Sequence, residues 1–111
     1  MLNAFTARTK VVLFNNPLNP TATVYGADQL SLLAHCCMAH DSIIVVDDVW
    51  EHVTFDGRAH ITMLKLPGMR ERTVKIGSAG KIFSLTGWKV GFVCAAPKVM
   101  PASSKSLSSE V

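Results

Sequence analysis

Ile76-Gly77-Ser78-Ala79-Gly80-Lys81-Ile82-Phe83-Ser84-Leu85-Thr86-Gly87-Trp88-Lys89-Val90-Gly91 is the stretch whose reading decides the fold. A strand-like run at residues 73–77 delivers a small Ser78-Ala79-Gly80 turn and then Lys81 among apolar neighbours. Small residues let the backbone come close to a ligand. Ile82 and Phe83 beside Lys81 predict a partly desolvated, nucleophilic amine. Ser78 offers a hydroxyl to an anion and Lys89 a point charge. The segment reads as an amine nucleophile beside an anion, with a solvated lysine in a glycine-rich turn as the plain alternative.

Upstream, the same format of apolar strand and polar tip occurs twice. Residues 10–14 (KVVLF) form a continuous apolar run that stops at Asn15-Asn16-Pro17, as a buried parallel strand does. Two Asn-Pro steps then make residues 15–23 a loop, with Asn19 near the strand's carboxyl end. In an open α/β sheet that end is where ligands bind, although asparagine is also common in turns. Residues 27–40 place Leu30, Leu33, Ala34, Cys37 and Met38 at helical spacing, with Asp28 positioned to favour the helix start. A second strand, residues 43–46, ends in Asp47-Asp48. Strand, helix, strand implies a parallel crossover, and puts Asn19 and Asp47 at one edge of the sheet. An acid at the tip of an apolar strand needs a partner, because burial penalises its charge. A protonated ring nitrogen would serve, and so would a helix N-cap or a salt bridge.

Residues 49–55 are amphipathic and fit a short helix or a strand. Asp56-Gly57-Arg58 is a turn, residues 60–66 a short helix or irregular segment stopped by Pro67-Gly68, and residues 69–72 a solvated charged bend. Residues 88–96 read as a fourth strand. From Pro97 the composition changes, and the serine-rich residues 101–111 are expected to be disordered.

The 111 residues make one domain at most, with room for a modest core. A net charge of +3 without a basic stripe argues against nucleic acid, and no apolar run approaches a membrane span. Three cysteines without metal-ligand spacing predict reduced thiols in a reducing compartment, the cytoplasm, and no metal site. His35 and His40 lie on different helix faces and read as surface or half-buried. Residues 1–8 are faintly transit-like but too short to weigh.

Together these pieces resemble the large domain of class I/II aminotransferases, fold-type-I enzymes that use pyridoxal 5'-phosphate, in the branch of kynurenine and glutamine aminotransferases and cysteine-conjugate β-lyases. The resemblance runs from about Lys10 to Met100. Asn19, in Asn19-Pro20-Thr21, matches the asparagine at the cofactor's phenolic oxygen. Asp47, 28 residues on (47 − 19), matches the aspartate that pairs with the pyridine nitrogen. Lys81 matches the lysine that holds the cofactor as a Schiff base and moves the substrate's α-proton. Ser78 and Lys89, three before and eight after it, match the phosphate contacts, with Lys where many relatives have Arg. Two departures stand out: Trp50 replaces the family's tyrosine, and Ala22 replaces a glycine after Asn19-Pro20-Thr21, which strains the loop if that residue needs a positive φ.

The resemblance implies an α/β fold, a partial three-layer large domain with a mostly parallel sheet flanked by helices, over residues 1–100. It implies transamination between an amino acid of the aromatic, kynurenine or glutamine type and a 2-oxo acid, in a homodimer away from membrane and nucleic acid. As a truncated piece the chain is expected to be inactive or feeble alone, with an aggregation-prone sheet edge. A β-lyase on the same cofactor, and a non-catalytic fragment that pairs with a full-length subunit, are the alternatives. A nucleotide-binding module is excluded, since residues 15–21 are not a Gly-x-Gly-x-x-Gly turn.

Overall fold

A computed structural model describes residues 2–100; the expected disorder of residues 101–111 lies outside them. Four strands form one sheet: β1 (Val11–Asn15), β2 (Ile43–Asp47), β3 (Thr73–Ser78) and β4 (Gly91–Ala95), in the order β1-β2-β3-β4. The first three are parallel and β4 runs antiparallel to β3. The 13-residue helix α1 (Ala27–Ala39) connects β1 to β2, and a four-residue helix α2 (Ala79–Ile82) follows β3. The expected mixed α/β architecture with a mostly parallel sheet is the one observed. Among the described residues no helix is long and apolar enough to cross a membrane.

Side chains alternate between the faces of a strand, so register assigns each to a side. Phe14, Val46, Lys75 and Cys94 share one face; Leu13, Val45, Val74 and Ala95 share the other. Helix α1 presents Leu30, Leu33, Ala34 and Cys37 to the first face, where they enclose a core with Phe14, Ile44, Val46, Met63 and Met69. Met38, expected among them, is exposed. Each fully buried leucine stabilises the fold by roughly 1.5–3 kcal/mol. The opposite face is bare along β1 and at the start of β2: Leu13 is 79% exposed, and Val11 and Ile43 are also exposed. Unbroken apolarity in residues 10–14 suggested burial on both sides; among the described residues only one side is covered.

Local chemistry explains several boundaries. Gly26 opens α1, its N–H donating to the Gln29 side chain at 3.1 Å, while Asp28 stays in the first turn near the positive helix end. Residues 49–52 adopt turns and 53–55 are irregular, so the segment is neither helix nor strand, and a 3-10 turn spans Met63–Lys65. Residues 69–72 are no solvated bend: Met69 is fully buried, and Arg72 reaches back to the Asp41 carboxylate (3.1 Å) and the Ser42 carbonyl (3.2 Å). Strand β4 starts later than the apolar pattern suggested, because Thr86–Trp88 form a 3-10 turn that ends on Lys89 at φ 53°. The Phe92 ring lies over Gly77, 2.1 Å from where a Cβ would stand, so any larger residue there would have to displace that ring.

Candidate active site

The carboxyl ends of β1 and β2 lie side by side, with Asn15 paired to Asp47. Asn15, which the sequence did not mark, ties the two tips together. Its Nδ2 donates to the Asp47 carbonyl at 2.8 Å, and its Oδ1 accepts the Asn19 N–H at 2.8 Å. Asn19 is thereby held to the end of β2 while remaining exposed. The Asp47 carboxylate is exposed too, and its Oδ1 accepts the Val49 N–H at 3.1 Å. The loop that carries Asn19 includes cis bonds at Asn16-Pro17 and Asn19-Pro20, and Ala22 at φ 57°, the left-handed conformation anticipated for a glycine site.

At the end of β3, Ser78 caps α2, and its Oγ accepts the Gly80 N–H at 3.1 Å. Gly80 has no room for a side chain at ordinary contact distance: a Cβ would stand 3.1 Å from Thr86 Cα and 3.2 Å from Ser78 Oγ. Lys81 follows on α2. Its expected desolvation is not observed, since Lys81 is exposed and Phe83 is 66% exposed beside it. The Lys81 Nζ instead stands 4.8 Å from the centroid of the Trp50 ring. Lys89 is exposed, and the pairing of Ser78 with Gly91 brings its turn to the same end of the β3–β4 ladder as Ser78. Trp50 and Asn19 line one open cleft of about 580 Å³, with Pro17, Ala22, Phe55 and Arg58 along its walls. The fold thus joins Asn19 to Asp47 through Asn15, sets Lys81 against Trp50, and brings Ser78 and Lys89 to one end of the β3–β4 ladder. Of the five expected site residues, Asn19 is the one that lines the cleft.

One cluster escaped the sequence. The buried acid is Asp48, 0% exposed, where Asp47 had been the candidate. His60 Nε2 lies 3.3 Å and Lys75 Nζ 3.9 Å from Asp48 Oδ2, and Lys75 also pairs directly with Glu51. Asn16 stands behind His60, its Nδ2 3.5 Å from His60 Nδ1. Asp48, Glu51 and His60 are close enough to surround a cation, and the Lys75 ammonium supplies one. The only clue in the sequence was a lysine on the core-facing register of an apolar strand.

The model for the family "Aminotransferase class I and II" matches residues 1–109 of the chain. The chain belongs to this family. Kynurenine–oxoglutarate transaminase 1 of Homo sapiens is 47% identical over 96 residues, covering 86% of the chain and 23% of that protein. Kynurenine–oxoglutarate transaminase of Dictyostelium discoideum is 48% identical over 96 residues, covering 85% and 22%. Among solved structures, N-succinyldiaminopimelate aminotransferase from Mycobacterium tuberculosis superposes with a TM-score of 0.90 at 36% identity, covering 96% of the chain and 29% of that protein. The chain thus spans about a quarter of the length of these aminotransferases.

Proposed function

We propose that the protein to which these residues belong transfers the amino group of a kynurenine-like, aromatic or glutamine-type amino acid to a 2-oxo acid, using pyridoxal 5'-phosphate. The observation that supports this reading best is that an amide, an acid and a primary amine each follow the carboxyl end of one of three adjacent parallel strands. Identity of 47% to a kynurenine–oxoglutarate transaminase supports the substrate class.

The donor set suits a phosphorylated heteroaromatic aldehyde. Lys81 is accessible as a nucleophile, and Asp47 has a carboxylate oxygen free of backbone contacts to face a ring nitrogen. Asn19 can donate its amide to a phenolic oxygen. Ser78 accepts from Gly80 through its oxygen and keeps its O–H for a phosphate, with Lys89 as the countercharge. When bound, the cofactor supplies an electron sink for charge developing at the substrate's α-carbon. Asp47 would face the ring nitrogen with its carboxylate. Lys81 would hold the aldehyde through its amine and, when that amine is free, would accept the substrate's α-proton on Nζ and give it back. A homodimeric assembly and a cytoplasmic location, in keeping with three free cysteines, belong to the same proposal.

Mixing the purified chain with pyridoxal phosphate and reducing with borohydride tests the assignment. The expected product is a single adduct on Lys81, seen in the ultraviolet spectrum and by peptide mass, and absent from Lys81→Ala. An adduct that persists in that variant, or none in the native chain, overturns it.

A further inference from the structure

We propose that Trp50 is a positioning residue for the Lys81 amine, and that the half-buried Glu51–Lys75 ion pair holds its indole in place. The inference rests on reading Lys81 as the reacting amine. Trp50 sits on residues 48–54, which have no helix or strand of their own to fix the ring. Three anchors surround it instead. The Asp48 N–H donates to the Ile76 carbonyl at 3.0 Å, which attaches the segment to β3. The Asp48 carboxylate is flanked by His60 and Lys75 at 3.3 and 3.9 Å. Glu51, the residue after Trp50, pairs with Lys75 where both side chains are 13% exposed.

Two of these anchors, at Ile76 and Lys75, lie on the strand that leads directly into Ser78 and Lys81. Indole and amine are therefore positioned from one rigid element. The electron-rich ring face attracts an ammonium electrostatically and covers one side of it. An otherwise exposed lysine gains a preferred direction, over the ring of Trp50, which itself lines the cleft with Asn19. Trp50, where the family resemblance leads one to expect a tyrosine, thus acts on the lysine through its ring face and needs no hydroxyl.

Trace acetylation of the folded chain with acetic anhydride, mapped by peptide mass, reads the shielding at Lys81 with Lys89 as internal reference. In Trp50→Leu, Lys81 is expected to acetylate about two- to five-fold faster relative to Lys89, the factor set by a surface cation–π contact. Glu51→Gln should move Lys81 the same way, and Lys75→Arg, which keeps the pair, should leave it at the native rate. An unchanged Lys81 rate in Trp50→Leu overturns the proposal. So does a Glu51→Gln protein that folds by circular dichroism yet keeps the native rate, or an equal rise at Lys89, which reports general loosening. Because acetylation requires no cofactor, a chain that shows this shielding but forms no pyridoxal phosphate adduct would refute only the proposed function.

Discussion

At the scale of single residues, Ala22 is where local physics and inherited loop shape disagree. Its φ of 57° places a Cβ in the left-handed region, which costs an L-residue roughly 1–2 kcal/mol. Glycine removes that cost but has roughly 0.5–1 kcal/mol more backbone entropy to lose on folding. The strain is the larger effect, so Ala22→Gly should stabilise the chain by about 0.5–1 kcal/mol. Urea unfolding checks this, and a lower midpoint in the glycine variant would show that the loop is not strained there. The Asp47–Asp48 pair makes a second point at this scale. Two identical side chains one position apart face opposite sides of the sheet, one into solvent and one among His60 and Lys75. The alternation itself was legible, but which face would be covered was not.

At the scale of elements, α1 shows how much of a helix its own pattern prescribes. Leu30, Leu33, Ala34 and Cys37 recur at helical spacing and are the residues buried. Burial pushes the Cys37 thiol up, and the neighbouring Cys36 adds to the effect, against a smaller lowering by Arg72. The folded state therefore resists forming the thiolate. The stability linked to this thiol is complete below its unfolded-state value and is lost as pH rises from there through the folded value. Above about pH 9 the unfolding free energy read from urea titrations should fall, by no more than about 1.4 kcal/mol per pH unit from one group, and less steeply in Cys37→Ala. Iodoacetamide should correspondingly modify exposed Cys94 first and Cys37 last. Equal alkylation rates for the two would contradict the described burial. Strands β1, β2 and β3 were equally legible, whereas the start of β4 was not: the expected strand began at Trp88, yet Thr86–Trp88 form a 3-10 turn and Lys89 takes a left-handed conformation.

For the molecule as a whole, the sheet is covered on one face and bare on the other along β1. An exposed apolar strand at a sheet edge is a template for association. Leu13, 79% exposed on that edge, is the most direct handle. The native chain should self-associate as concentration rises, and Leu13→Lys should remain monomeric in sedimentation velocity with stability changed by no more than about 0.5 kcal/mol. A native chain that stays monomeric at high concentration would mean that the bare face is not adhesive. The sequence by itself determined the strand–helix–strand order, the core stripe of α1 and the placement of Asn19, Asp47 and Lys81 at strand ends, because periodicity and turn residues are local properties of the chain. Only the tertiary structure decided that Asp48 is the buried acid, that Lys75 is its cation and that Lys81 rests on Trp50. Those contacts join residues 27 and 31 positions apart, and proximity across such separations depends on which strands pair and in what register.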